Sequence, residues 1–152
     1  MATNKEYILE DFKMAIKMRV LCDSKQKKIA SMAQIIKAEY DLAINAVDKI
    51  PPAYSCDKER LVILMLSLKG EPADQIRLFC QEMTRMRAQN TALVIHGTEA
   101  AANRMKEILQ KAGTTVADEV FYVTCGLFNS AVKPEEKEAL LAYTRRIVDG
   151  LQ

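Results

Sequence analysis

The chain has 152 residues, 49% of them hydrophobic and 28% charged, proportions of a single globular domain that exclude a disordered or low-complexity protein. Its 22 Lys and Arg against 20 Asp and Glu leave a formal charge of +2, far from the basic footprint of a nucleic-acid binder, so no nucleic-acid partner is expected. One histidine, no tryptophan and four scattered cysteines without a CxxC exclude multi-histidine metal sites and supply no disulfide framework, so no metal site is expected.

Residues 1–16 stand apart from the rest and form an N-terminal arm that reads in two ways. Thr3 with Glu6 makes a capping box, and Leu9, Phe12 and Ile16 then share one helical face. Phe12, Met14, Ile16, Met18, Val20 and Cys22 also alternate strictly, which is a strand extension. The arm either packs on its own domain or makes a dimer or partner contact. Lys5, Glu6, Glu10 and Asp11 interrupt the apolar stretch of a signal peptide, and no apolar run approaches the roughly 20 residues of a membrane helix. A cytoplasmic protein with no membrane contact is expected.

The main domain is expected over residues 17–152. Met18, Val20 and Cys22 alternate with Lys17 and Arg19, predicting a first strand. Ile29, Met32, Ala33, Ile36 and Tyr40 then recur at helical spacing. Leu42, Ile44 and Ala46 alternate as a second strand, which Pro51 and Pro52 end. Residues 61–66 are apolar at every position, as in a strand covered on both faces at the centre of a parallel sheet. After a turn at 67–72, a helix is predicted to present Ile76, Phe79, Cys80, Met83 and Met86 on one face.

A fourth strand over residues 91–95 ends at His96-Gly97-Thr98, and its helix turns Met105, Ile108, Leu109 and Ala112 inward before a Gly113 cap. Residues 120–125 predict a fifth strand, and Pro134 with Glu135 and Glu136 opens the last helix. Strands that alternate with helices predict one doubly wound, five-stranded parallel α/β sheet with helices on both faces and order 2-1-3-4-5. Its ligand crevice lies at the carboxyl ends of the strands. The loops at residues 23–28, 67–72, 96–101 and 126–133 are therefore the expected site.

Asp23 and Ser24 after the first strand, Lys27-Lys28-Ile29-Ala30 entering the first helix, Ile50-Pro51-Pro52-Ala53-Tyr54 before the central strand, and Cys125-Gly126-Leu127 closing the last one resemble a short flavodoxin. The likeness covers residues 18–151. It implies a flavodoxin-like α/β fold, noncovalent FMN, and electron transfer with a redox partner protein. Carried onto this chain, it implies that Ser24, Gln26 and the Lys27 and Lys28 amides meet the flavin phosphate. Ser67, Leu68, Lys69, Gly70, Gly97, Thr98, Glu99, Cys125, Gly126 and Leu127 then surround the ring. The flavin carries the chemistry in such proteins, so no catalytic side chain is expected.

The chain departs from the family where the cofactor binds. The family's first loop reads approximately Ser/Thr-x-Thr-Gly-x-Thr, whereas this one reads Ser24-Lys25-Gln26-Lys27-Lys28 and keeps only Ser24 of the pattern. The loops after the third and fourth strands lack the aromatic residues that often flank the ring, a loss of about 1 kcal/mol or more per stacked ring. The positive net charge also departs from the acidic surface typical of the family. FMN binding is therefore expected to be weak or lost. A flavin-free interaction or accessory module, acting as a monomer or homodimer, is the alternative. A small anion-binding enzyme or sensor built on Lys25, Lys27, Lys28 and His96 is a third reading, in which His96 has no partner evident from the sequence. A phosphoreceiver is excluded because the third strand ends in Leu66-Ser67 with no aspartate, and the dinucleotide and P-loop glycine motifs are absent.

Overall fold

The computed structural model describes residues 16–23, 25–40, 44–46, 56–124 and 131–151. In chain order these form β1 (Met18–Cys22), α1 (Lys27–Tyr40), β2 (Ile44–Ala46), β3 (Glu59–Leu68), α2 (Asp74–Gln81), β4 (Ala88–Gly97), α3 (Glu99–Ala112), β5 (Thr115–Tyr122) and α4 (Pro134–Asp149). No helix among the described residues is long and apolar enough to cross a membrane.

The apolar run of β3 lies at the sheet centre, between β1 and β4, with Leu61 to Leu66 all fully buried. Alternate side chains face opposite layers. Leu61, Ile63 and Met65 meet α1 and α4, packing with Ile29, Met32, Ile36, Leu140 and Tyr143. Val62, Leu64, Leu66 and Leu68 meet α2 and α3, packing with Ile76, Cys80, Met105 and Leu109. Two helices on each face explain why the central strand is apolar throughout.

The expectation of a five-stranded sheet is corrected. The body of the sheet is four all-parallel strands, β1, β3, β4 and β5, flanked by four helices. Among the described residues, the expected second strand contributes the three-residue segment Ile44–Ala46, which pairs with β1 and gives the strand sequence β2-β1-β3-β4-β5 across the sheet, while Leu42 lies outside the described residues.

Other limits shift for local reasons. β3 and β4 run past their apolar stretches, because backbone pairing continues through Ser67↔His96 and Leu68↔Gly97. The last strand begins at Thr115, before its predicted start, and its register on β4 slips between Thr91 and Leu93. Met86 is not an inward helical residue: α2 stops at Gln81 and Met86 is 76% exposed. The helix ends of α3 and α4 follow expectation. Gly113 caps α3 at φ +119°, a left-handed conformation suited to glycine, and Pro134 opens α4 with the Glu136 side chain accepting from the Lys133 amide. Of the N-terminal arm, only Ile16 belongs to the described residues, half-buried against the α1/α4 core.

Candidate functional site

The order in which strands are added across the sheet reverses between β1 and β3: the chain leaves β1 for β2 on one side and leaves β3 for β4 on the other. The crevice above this point is where doubly wound sheets bind ligands. Its rim is made by Asp23 after β1, Ser67 and Leu68 at the end of β3, His96 and Gly97 at the end of β4, and Thr124 after β5.

The β1–α1 turn is closed by its own polar groups. Asp23 donates its amide to the Met65 carbonyl at 2.8 Å, so the chain still follows β3 as it leaves β1. The Asp23 carboxylate accepts from the Lys25 amide at 3.0 Å, and Gln26 Oε1 accepts from the Lys28 amide at 3.0 Å, capping α1. Lys28 does not offer its charge to the crevice. Its side chain is buried, with Nζ donating to the Thr124 carbonyl at 2.5 Å and lying 2.6 Å from Glu136 Oε2. Contact with Lys28 is the leading reason that the Glu136 carboxyl is held below its usual range. Lys25 and Lys27 are exposed.

An FMN phosphate meets opposition at the described part of this turn. Two of its amides are engaged by side chains of the turn itself, and one of those acceptors is a carboxylate, which repels an arriving anion. Gln26 and the Lys28 amide, both expected at the phosphate, bond to each other in this structure and cap α1. Ser24, Cys125, Gly126 and Leu127 lie outside the described residues.

The remaining predicted residues come together only in part. Ser67 and Leu68 belong to β3 and not to a loop, and Leu68 is buried in the α2/α3 core. Lys69 and Gly70 are exposed beyond it. Gly97 ends β4, where an added Cβ would lie 2.3 Å from the Leu68 carbonyl oxygen, so the close approach of the two strand ends requires glycine. Thr98 caps α3, its Oγ1 accepting from the Ala101 amide at 3.1 Å, and Glu99 is exposed in the first turn.

The structure gives His96 a partner that the sequence did not reveal. Ser67 Oγ lies 3.0 Å from His96 Nδ1, both residues half-buried. The register Ser67↔His96 creates the pair, and the signal for it was the parallel ending of two apolar runs in a polar residue. Tyr122 is a second missed residue. It ends β5, is 44% exposed, and its hydroxyl pKa is raised by burial and then by the charge of Glu99. Two surface depressions lie elsewhere. One, of about 410 Å³, is lined by Gln81, Arg104, Glu107 and Lys111, and the other, of about 270 Å³, by Leu61, Asn90, Arg146 and Leu151. No group of three or more metal-ligating side chains occurs among the described residues.

No protein-family model matches this chain, and no curated protein matches it. Among solved structures it is similar to a short-chain flavodoxin associated with a PDU bacterial microcompartment, at 11% identity and a TM-score of 0.59. The similarity covers 90% of this chain and 98% of that one. At this identity the likeness shows the fold, which is flavodoxin-like.

Proposed function

We propose that this chain is a cytoplasmic flavodoxin-like protein, related to FMN electron-transfer proteins, that binds FMN weakly or not at all and acts by contact with a partner protein. The observation that carries this reading is the self-closed β1–α1 turn. Asp23 and Gln26 take up the Lys25 and Lys28 amides, and Glu136 holds the Lys28 ammonium. A phosphate at this turn has to displace a carboxylate and a helix cap to gain the Lys25 and Lys28 amides, so the helix N-terminus loses part of its usual advantage as an anion site. The absence of aromatic residues from the stretches 67–72 and 96–101 removes ring stacking as compensation.

The test is an absorbance scan of the purified protein followed by titration with FMN while thermal stability is recorded. A colourless protein whose melting temperature does not move at about millimolar FMN supports the reading, because a ligand with tight affinity would stabilise by RT ln(1 + [L]/Kd). A yellow protein, or a clear rise in melting temperature at low micromolar FMN, overturns it and restores flavin-based electron transfer. Stabilisation by inorganic phosphate alone, lost in Lys25→Ala and His96→Ala, favours instead the small-anion reading of the same crevice.

A further inference from the structure

The end of the molecule opposite the crevice carries a cationic patch that the flavodoxin-like reading does not use. Backbone hydrogen bonds gather it at the start of the central strands. The Lys58 amide donates to the Met86 carbonyl at 2.9 Å, the Glu59 amide to the Arg87 carbonyl at 3.0 Å, and the Arg60 amide to the Lys17 carbonyl at 2.7 Å. Lys17, Lys58, Arg60, Arg85 and Arg87 thus lie at the same end of the sheet as Met86, which is 76% exposed, with Lys58 hydrogen-bonded directly to it. We propose that this surface docks an acidic segment of a partner protein that presents an apolar side chain to Met86. The proposal deepens the reading that the chain acts by protein contact, and names the surface and the chemistry of the partner.

Charge complementarity selects the occupant. Lys58, Arg60 and Arg85 form no ion pair among the described residues, and Lys58 and Arg85 are exposed. The acids at this end offset the patch only in part. The Glu59 side chain is fully buried, 3.6 Å from Arg19 and 3.9 Å from Lys17, Asp57 is exposed beside Lys58, and Glu82 lies 3.3 Å from Arg87 in an exposed pair worth little in water. The whole chain carries a formal charge of only +2, so this cluster is a local concentration and not a general property of the surface.

The turn that presents the patch is also held in an uncommon shape. Lys58 has φ +55°, a left-handed conformation that non-glycine residues adopt at a cost. The bond from its amide to the Met86 carbonyl joins this turn to the chain entering β4. At the centre, a methionine offers a flexible, polarisable contact that adapts to the apolar side chain of a partner.

Nucleic acid and membrane fit less well. Single-strand binding draws on base stacking, and Tyr122, the exposed aromatic among the described residues, ends β5 at the other end of the sheet. One exposed methionine buries too little apolar surface to anchor a protein in a bilayer.

The test is fluorescence anisotropy at low salt with a labelled peptide of Glu and Asp residues around one central leucine. The expected result is binding that weakens at least tenfold in Lys58→Glu/Arg85→Glu and about threefold in Met86→Ser, with Lys137→Glu on α4 unchanged. Thermal unfolding is recorded for each variant. If the Lys58 change unfolds the protein, Arg85→Glu alone carries the comparison against Lys137→Glu, since both reverse one exposed charge. The proposal is overturned if wild type does not bind the peptide, if Lys137→Glu weakens binding as much as Arg85→Glu, or if an all-acidic peptide without leucine binds equally well. Tighter binding of phosphatidylserine vesicles or single-stranded DNA through the same residues also overturns it. FMN titration of the same proteins reads the crevice separately, so the failure of one reading is distinguishable from that of the other.

Discussion

The buried ammonium of Lys28, near the start of α1, lies 2.6 Å from the Glu136 carboxylate in the first turn of α4. This contact joins the two helices that share one face of the sheet and also secures the chain leaving β5, through the Thr124 carbonyl. Glu136 is partly exposed, its side chain at 22%, whereas Lys28 is at 6%, so the cation depends on the pair more than the anion does.

Removing the anion is therefore the more damaging change. Glu136→Ala leaves a buried charge with one carbonyl partner and is expected to cost about 2 to 3 kcal/mol, less than breaking a completely buried pair. Replacing both partners by apolar residues, Lys28→Met with Glu136→Leu, is expected to recover most of that loss because no charge remains to be desolvated. Urea unfolding of the three proteins checks this, and equal stability of wild type and Glu136→Ala refutes it. The pH dependence has a definite sign. The folded-state pKa of Glu136 is depressed, chiefly by the Lys28 contact. Its stabilising contribution is thus present above the unfolded value, about 4.3, and is lost as pH falls through the folded value.

Gly97 is expected to tolerate no side chain. An alanine Cβ would meet the Leu68 carbonyl oxygen at 2.3 Å, and that oxygen belongs to backbone paired with Gly97 itself. Gly97→Ala should cost about 2 to 3 kcal/mol and disturb the Ser67–His96 pair one residue earlier in the register. Gly113→Ala is the comparison. Its φ of +119° penalises alanine, but the nearest atom to the new Cβ is 3.6 Å away, so about 1 kcal/mol is expected. Chemical denaturation gives both values, and ¹⁵N chemical shifts of the His96 ring report the loss of the Ser67 contact. Equal costs at the two glycines would remove the close-approach argument.

The parts of this fold that were legible in the sequence are those set by side-chain pattern. Residues 61–66 read as a doubly covered strand because both of its faces meet helices, and Gly113 and Pro134 read as helix limits because their backbone chemistry acts locally. What pattern missed depends on backbone pairing or distant partners. Ser67 and His96 extend their strands although they are polar, because the hydrogen-bond ladder does not consult the side chain. Ala117, Asp118 and Glu119 broke the apolar alternation of β5 and hid its start, since the register slip opposite Thr91 and Leu93 falls there. In the candidate site, the sequence showed that the family's phosphate loop is altered. It did not show that Lys28 turns away to Glu136 or that Gln26 caps α1, because both facts require the tertiary arrangement of α1, α4 and β5.

Cys56 and Cys80 should behave as core residues and not as reactive thiols. Cys56 is pushed up to about 11 by burial and the nearby charge of Glu59, and Cys80 to about 12 by burial and by Cys56. At pH 8 the thiolate population of Cys56 is on the order of one in a thousand, and its sulfur is also shielded from reagent. Iodoacetamide is expected to leave both residues unlabelled in the folded protein and to label both in urea, as read by peptide mass mapping. Labelling of Cys80 in the native state at the rate of a free thiol would show that the α2 core opens readily.

Tyr143 repairs the irregularity in the sheet. Between Thr91↔Val116 and Leu93↔Val120 the register of β5 slips, and the Tyr143 hydroxyl reaches the Leu93 carbonyl at 2.9 Å and the Glu119 carbonyl at 3.0 Å. One proton serves two acceptors across the slip, while the ring packs on Phe121 at 5.6 Å between centroids. Tyr143→Phe keeps the ring and removes the bridge, so a loss of about 1 to 2 kcal/mol is expected. The alkaline limb separates this from a packing effect. Burial, followed by the charge of Glu119, raises the Tyr143 pKa above its ordinary value. The folded protein therefore keeps a proton that the unfolded chain gives up. That contribution is complete below the unfolded pKa, about 10, and is lost as pH rises toward the folded value. Between about pH 9 and 11 the stability of wild type should fall more steeply than that of Tyr143→Phe by the share of one titrating group. Parallel pH profiles for the two proteins would mean that the hydroxyl is not held as a proton donor between β4 and β5.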